Sequence, residues 1–304
     1  NFISALDEND NEKFMNPNNG FAYTAEIKNK DFVFTNKMPL EIALGFYEID
    51  DSAFLQKKNE SFRIPFIKDA EDGFGYASNI LKNDNNSLSF AYYDTNNNEA
   101  YDKQAFVSSF NFGNADSRKS IVLGYTEEDE SFLGSNSGGA FNLNNQDAPT
   151  NFIANKFYKK FFNDDEFLIV TSYGLTDVNT NKDTLINNIG MLSSSSFAIK
   201  YSTKKILKSK DSFSISLSQP HRIEAGSANI SIPSGRDKLG NLYFRNKDIS
   251  LSPSGRQLDL SLAYNYDLSE KSKISTNAIL TSNEDHIKSN ELHNSLSIVY
   301  DLSF

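Results

Sequence analysis

The chain has 304 residues, including 25 Phe and 14 Tyr but no Trp and no Cys. Its 40 acidic residues outnumber 30 Lys and Arg, giving a net charge of −10, which argues against a nucleic acid bound through a basic patch. Mean hydropathy is −0.51 and no apolar run approaches the roughly 18 residues of a spanning helix, which excludes a helical membrane protein. Without cysteine, disulfides and thiolate metal sites are excluded as well.

The first 37 residues differ in character from the remainder. Residues 1–20 are polar and Asn-rich, which is typical of a linker or a weak helix. Residues 21–36 read FAYTAEIKNKDFVFTN and fit a hairpin that turns at 28–30. We therefore interpret 1–37 as a linker that could plug a lumen, or as an N-terminal hairpin, and 38–304 as the main domain.

From residue 40 onward, apolar and polar residues alternate with period two, the pattern of half-buried strands. In chain order, the alternation that marks each predicted strand is found at 40–48, 73–82, 88–92, 106–112, 121–125, 150–161, 167–173, 197–201, 213–217, 258–266, 272–281 and 296–304. In 150–161 two phases compete, because Phe152 and Ile153 fall on opposite faces. The sequence thus predicts about twelve strands, or fourteen with the hairpin, each near the roughly 9 to 11 residues that span an outer membrane.

The connections between these strands alternate in length. Short ones are predicted at 82–86, 113–117, 163–166, 204–211 and 267–271, and long ones at 50–72, 94–103, 127–149, 177–192, 219–247 and 282–291. Short turns at one end and long loops at the other are typical of a transmembrane β-barrel. We therefore predict an all-β, antiparallel, up-and-down barrel of the outer-membrane type.

The last predicted strand carries Leu296, Ile298, Tyr300, Leu302 and Phe304 on one apolar face. This face with a final Phe resembles the signature read by the barrel assembly machinery. The resemblance implies that machinery and periplasmic chaperones as partners, besides outer-membrane lipid and lipopolysaccharide. It places the C-terminus on the periplasmic side, so that short turns would be periplasmic and long loops extracellular.

Two motifs lie in the last third of the chain. Gln219–Ala228 reads QPHRIEAGSA and is followed by a P-S-G-R segment, predicted to be a turn, at Pro233–Arg236. A second P-S-G-R at Pro253–Arg256 precedes an alternating strand. Over roughly residues 130–304 this resembles autotransporter barrels downstream of subtilisin-like serine protease passengers.

This resemblance implies a translocator of type V secretion that anchors and helps to export its own N-terminal passenger. The chain begins at Asn1 without an initiator Met or a signal peptide, so we expect the passenger upstream. Because an even strand count starts the barrel in the periplasm, residues 1–20 would return to the surface through the lumen. A free periplasmic tail is the alternative.

No catalytic, metal or cofactor site is predicted, and we expect no enzyme. His221, His286 and His293 map to loops or loop edges, and the G-x-S-x-G elbow is absent. The acidic groups Glu127–Glu130 and Glu284–Asp285 could ligate Ca²⁺, but their spacing fits no calcium loop, so we expect solvated loop faces. We further predict a structural charge network, at the longest connection, of Arg222, Glu224, Arg236 and Arg256.

Other classes of protein compete with the translocator. A porin-like channel or passenger-free barrel is the main alternative. An outer-membrane protease or phospholipase would need a His facing a carboxylate at the rim. A soluble β-sandwich would not explain the alternating connections or the terminal Phe.

Overall fold

The computed structural model describes residues 2–4, 21–27, 30–36, 62–67, 73–83, 85–95, 103–114, 116–129, 131–136, 147–161, 165–180, 184–207, 210–269 and 272–302. The strands in these ranges are β1 (Phe2–Ser4), β2 (Phe21–Ile27), β3 (Lys30–Asn36), β4 (Phe74–Lys82), β5 (Asn86–Asp94), β6 (Lys103–Asn114), β7 (Ser117–Asp129), β8 (Ser131–Phe132), β9 (Ser135–Asn136), β10 (Asp147–Lys160), β11 (Glu166–Thr176), β12 (Ile186–Ile189), β13 (Leu192–Lys204), β14 (Asp211–Ala225), β15 (Ser227–Arg236), β16 (Leu242–Ser250), β17 (Leu258–Ser269), β18 (Ser272–Ser282) and β19 (Leu292–Leu302). A 3-10 turn, Glu284–His286, lies between β18 and β19. In the described ranges no helix is long and apolar enough to cross a membrane.

Fourteen of these strands form one antiparallel sheet, in the order β1-β2-β3-β4-β5-β6-β7-β10-β11-β13-β14-β17-β18-β19. Each strand therefore pairs with its neighbours along the chain, and the predicted up-and-down topology is confirmed. Backbone ladders between β1 and β19 are absent from the described residues. The number fourteen arises because β1, β2 and β3 all join the sheet, with Ile27 opposite Lys30 at the β2–β3 turn. The hairpin predicted at 21–36 is thus present, and Phe2–Ser4, within the segment interpreted as a linker, pair with β2. The predicted strand at 40–48 lies outside the described residues.

The two faces of the sheet differ in the size of their side chains. One face carries small buried residues such as Ala105 and Ala154, and we call it the inner face. The outer face carries large apolar residues that remain exposed, including Phe106 at 54 % and Leu123 at 44 %. An outer face of this kind is matched to lipid rather than to water. In β10 the ambiguous phase resolves, since Phe152 is buried on the inner face and Ile153 is exposed on the outer one.

The main apolar core lies on the inner face, and part of the predicted 50–72 loop supplies it. Phe62, Ile64, Phe66 and Ile67 are between 0 and 4 % exposed and pack against the inner-face residues of β4 to β13. Residues 62–67 lie within the long connection predicted over 50–72, but they fold back onto the inner face and are not solvated. The physical reason is that four large apolar side chains in six residues gain more from burial than a solvated loop allows.

The predicted loop at 219–247 is also corrected. Strand β14 continues to Ala225, and β15 and β16 form a hairpin that pairs with β12 in a separate three-stranded sheet. Residues Pro233–Arg236 belong to β15 and are not the turn. The turn follows directly, because the Asp237 carboxylate accepts hydrogen bonds from the N–H groups of Leu239 and Asn241, both at 2.8 Å, and Gly240 adopts a φ of +93°.

Candidate functional site

A charge network lies at the end of β14 that leads into the longest connection. Glu224 Oε2 lies 2.6 Å from both Arg222 Nη1 and Arg256 Nη2, and Arg256 Nη1 donates to Oε1 at 2.9 Å. Ser195 Oγ on the adjacent β13 donates to the same carboxylate at 2.6 Å. Arg256 also donates to Gln219 Oε1. One carboxylate therefore joins β13, β14 and the segment before β17.

Arg222 has a second role, which depends on the remaining donors of its guanidinium. Its Nε donates to the carbonyl of Gly255 at 2.9 Å, and its Nη2 donates to the carbonyl of Pro253 at 2.9 Å. The side chain is only 10 % exposed. A planar group with several fixed donors suits this task, because it binds a carboxylate and two carbonyls at once. The second P-S-G-R segment, Pro253–Arg256, is thereby held against β14.

His286 ties a third segment to this network. Its Nδ1 accepts the Gln257 N–H at 2.9 Å, so the neutral ring carries its proton on Nε2, which lies 3.0 Å from the His221 carbonyl. Burial lowers the pKa of His286 below its ordinary value, and the positive charges of Arg222 and Arg256 act in the same direction. His286 is 7 % exposed and is therefore buried, although it lies in a connection as predicted, whereas His221 belongs to β14 and not to a loop.

Gly255 explains why the P-S-G-R segment needs its glycine. Its N–H donates to the His286 carbonyl at 2.7 Å, and a Cβ at this position would lie 2.6 Å from the Lys288 nitrogen. A side chain would therefore push the 283–288 turn away. The backbone of the second P-S-G-R segment therefore contacts the backbone of the 3-10 turn directly.

The structure brings together three of the four predicted network residues, Arg222, Glu224 and Arg256. Arg236 lies apart from them, at the exposed end of β15 opposite Leu242. Sequence reasoning missed Gln219, Ser195 and His286, which complete the cluster. Gln219 belongs to the same motif and could have been included, whereas Ser195 and His286 lie 29 and 62 residues from Glu224 in the chain and carry no local signal.

The predicted assembly face lies in β19. Leu296, Ile298 and Tyr300 are 70, 69 and 57 % exposed on one face of this strand. Leu302 is the last residue of β19, and Phe304 lies outside the described residues.

Of the two acidic groups considered as calcium ligands, Glu284 and Asp285 are exposed in the 3-10 turn, as expected, whereas the group at 127–130 is placed differently. Glu127 and Glu128 belong to β7, and Glu128 is 3 % exposed, with Lys103 Nζ at 3.0 Å and hydrogen bonds from Ser131 and Gly134. The expected solvated loop face is therefore wrong for Glu128, because a buried cation neutralises it. In the part of the chain that the structure describes, no cluster of three or more His, Cys, Asp or Glu could hold a metal ion.

Residues 62–67 occupy a recess on the inner face of the sheet, which is formed by aromatic rings and two glycines. The ring of Phe66 stacks on Phe152 at 4.9 Å, and His221 meets it edge-on at 4.9 Å. A Cβ on Gly174 would lie 2.5 Å from the Phe66 ring, and one on Gly124 would lie 2.2 Å from the Phe152 ring. The two glycines therefore leave the space that these rings occupy.

The inner wall is polar on its other side. On β14, β17 and β18, the exposed Ile215, Leu262 and Leu280 lie on the outer face. The residues that alternate with them along these strands lie on the inner face and are mostly Ser, Asn and Thr. Two hydrogen bonds link this polar face, from Ser261 to Asn277 at 3.2 Å and from Asn265 to Ser212 at 3.5 Å. The inner wall formed by β4 to β13 is thus covered by the apolar residues 62–67. The inner wall formed by β14, β17 and β18 is lined by small polar groups.

An antiparallel up-and-down sheet with an exposed apolar outer face and a polar inner wall defines an outer-membrane β-barrel. Solved structures of this class are similar to the chain. With "Outer-membrane expressed OmpT of Vibrio cholerae" the TM-score is 0.54 at 11 % identity, covering 93 % of this chain and 79 % of that one. With "OmpT (in-vitro folded), an outer membrane protein of Vibrio cholerae" the TM-score is 0.52 at 10 % identity, covering 93 % and 88 %. At these identities the likeness shows the fold. No family model and no curated protein matches the sequence.

Proposed function

We propose that this barrel is the translocator of an autotransporter, which anchors and helps to export an N-terminal passenger. The observation that carries the proposal is the network of Arg222, Glu224 and Arg256. The QPHRIEAGSA motif and the second P-S-G-R segment, Pro253–Arg256, are separate in sequence and supply the groups of one connected cluster. The two motifs occur together because their side chains bind each other in the folded barrel. This contact supports the resemblance to autotransporter barrels.

The lumen offers a route for a chain that leads to a passenger. The inner wall of β14, β17 and β18 presents mostly hydroxyl and amide groups, which can hydrogen-bond to water or to a passing chain. A chain that leads from the barrel to a passenger would pass along this wall beside the packed residues 62–67. The proposal assigns the barrel no enzymatic activity, and its partners are the assembly machinery, periplasmic chaperones and the passenger itself.

An epitope fused before Asn1, behind a signal peptide, tests the translocator. We expect an antibody to reach the epitope on intact cells, because the chain that precedes β1 would carry it through the lumen. Insertion is checked in the same cells by labelling a cysteine at Lys238 with an impermeant reagent. An inserted barrel whose epitope is reached only after permeabilisation would exclude translocation.

One observation favours a passenger-free channel as the second candidate. Residues 62–67 are packed on the inner wall through Phe66 and Phe152, as a segment that narrows a pore would be. Such a barrel would conduct ions steadily in planar bilayers. It would also keep the epitope of the preceding test in the periplasm.

A further inference from the structure

The β15–β16 hairpin is an arm that extends from the end of the barrel with the long connections. At its base, Ala228 and Ile249 join an apolar cluster with Ile189 and Leu192. Beyond this base every residue of β16 up to Asp248 is exposed. The arm is therefore anchored at one end and open to its surroundings at the other.

The two faces of the arm are chemically different. One face carries a polar ladder near its base, in which Asn187 of β12 donates to Asn229 and Ser231, both at 2.8 Å. Asn229 in turn donates to Asp248 at 2.7 Å, so that the acidic group of this strand is engaged on the polar face. Near the base this face is occupied by contacts within the protein, whereas towards the tip it carries Phe244 and Leu242, which are 51 and 49 % exposed. The face contains no Lys or Arg in β16.

The opposite face combines cations with apolar and aromatic groups. Tyr243, Arg245 and Lys247 alternate along β16 and therefore point the same way, with Ile232 opposite Arg245 and Ile230 opposite Lys247. Tyr243 is 57 % exposed and Ile232 is 43 % exposed. No acidic residue lies on this face, and no ion pair of Arg245 or Lys247 occurs among the described residues.

The tip of the arm continues this character. Leu239 is 89 % exposed in the Asp237–Asn241 turn, next to Lys238. Because the Asp237 carboxylate closes the turn with two backbone hydrogen bonds, the tip is held in one conformation. A rigid tip loses little conformational freedom on binding.

The sign of the charge on the arm selects the partner. Residues 227–250 contain four Lys and Arg and two Asp, whereas the whole chain has 30 basic and 40 acidic residues. A locally basic, aromatic face on an acidic protein fits a phosphate-bearing amphiphile, since Arg and Lys bind phosphate and apolar groups enter the interface. A second copy of the arm would repel it.

We propose that the face of Ile230, Ile232, Tyr243, Arg245 and Lys247, with the tip at Leu239, docks on the lipopolysaccharide of the surrounding outer leaflet. Arg245 and Lys247 bind its phosphate groups, and Leu239 and Tyr243 lie against its amphiphilic surface. This contact steadies the arm at the barrel mouth. It rests on the proposed outward orientation of the long connections.

A fluorescent label tests the docking, and the chain offers a clean background because it has no cysteine. An environment-sensitive dye is attached at Leu239→Cys in full-length protein, with one barrel per nanodisc. The discs contain phosphatidylcholine alone or phosphatidylcholine with lipopolysaccharide. We expect a blue shift of the emission only with lipopolysaccharide, and we expect 1 M salt to reduce it, since the screening length falls to about 3 Å. A label at Ser269→Cys, in the β17–β18 turn, should not shift.

Charge reversal decides whether the arm makes the contact. The variant Arg245→Glu with Lys247→Glu should abolish the shift, whereas Lys204→Glu with Lys210→Glu, at the other end of the barrel, should leave it intact. Equal emission in the two kinds of disc would overturn the proposal, and so would a shift that survives the Arg245 and Lys247 reversal. Both readouts are independent of passenger export, so their failure leaves the translocator test unaffected.

Discussion

The ring of Phe66 lies parallel to the ring of Phe152 within 17°, with their centroids 4.9 Å apart. This pair fixes residues 62–67 to the inner wall, in a recess that depends on the missing side chains of Gly124 and Gly174. We expect Phe66→Ala to destabilise this packing by about 3 to 5 kcal/mol, as for other buried phenylalanines. Single-channel conductance in planar bilayers should rise.

Gly174→Ala should act in the same direction, because its Cβ would displace the Phe66 ring without removing it. Gly235→Ala is the matched control, since its Cβ would meet its nearest neighbour at an ordinary 3.7 Å. Conductance equal to that of the parent in both Phe66→Ala and Gly174→Ala would show that residues 62–67 do not narrow the pore.

Arg222→Ala should lower the free energy of unfolding by roughly 2 to 3 kcal/mol, the scale of hydrogen bonds to charged groups. Glu224 would lose one of its donors, and the carbonyls of Gly255 and Pro253 would lose the Arg222 hydrogen bonds. Urea unfolding in lipid vesicles measures the effect. Arg236→Ala is the control and should change stability by about 0.5 kcal/mol or less, as exposed substitutions do. Equal effects of the two substitutions would contradict the assignment of the network.

His286 should make the contact with the P-S-G-R segment sensitive to acid. Its pKa is lowered in the folded protein by burial and by Arg222 and Arg256, so the unfolded chain binds the proton more readily. The stabilisation is fully present above the unfolded pKa of about 6.5 and is lost as pH falls through the folded pKa. Hydrogen exchange of the Gln257 amide, which donates to His286 Nδ1, should therefore accelerate on acidification beyond its intrinsic pH dependence.

His286→Gln should remove this pH dependence, whereas His293→Gln should preserve it, because His293 is 49 % exposed and paired with Glu284. An amide of Gln257 that exchanges with the same protection at pH 7.5 and pH 5 would refute the role of His286.

The orientation of the barrel can be read by cysteine labelling on whole cells. A cysteine at Lys238 or Asn136, both in long connections, should react with an impermeant reagent. A cysteine at Ser269 or Asn163, both in or next to short turns, should not. The reverse labelling pattern would place the long connections in the periplasm.

Phe304→Asp should impair membrane assembly, because a charged group ends the apolar face of Leu296, Ile298 and Tyr300. Heat-modifiable mobility on a gel and protease sensitivity of the periplasmic pool measure assembly. Ser303→Asp is the control, since Ser303 falls on the polar phase of the alternation. Normal assembly of the Phe304 variant would eliminate the terminal residue as a signal.

The sequence by itself determined the up-and-down sheet, because the alternation of Leu258, Leu260 and Leu262 with polar residues is a local property of each strand. The lengths of the connections likewise sufficed to order the strands, since neighbours along the chain pair in this topology. Arg222, Glu224 and Arg256 could be predicted as members of a charge network, because they are charged residues close to one long connection.

Only the tertiary structure decided which distant groups meet. Burial of Phe66 on the inner wall depends on Gly174, more than 100 residues away, and the His286 contact depends on the fold of a turn 62 residues after Glu224. Arg236 lies outside the charge network because the hairpin turns only after it, at Asp237–Asn241. Arg236 is therefore at the far end of β15, away from β14. The period of the sequence shows on which face of its strand a side chain lies. The packing energy arises from contacts between strands and connections, and these contacts exist only once the sheet has formed.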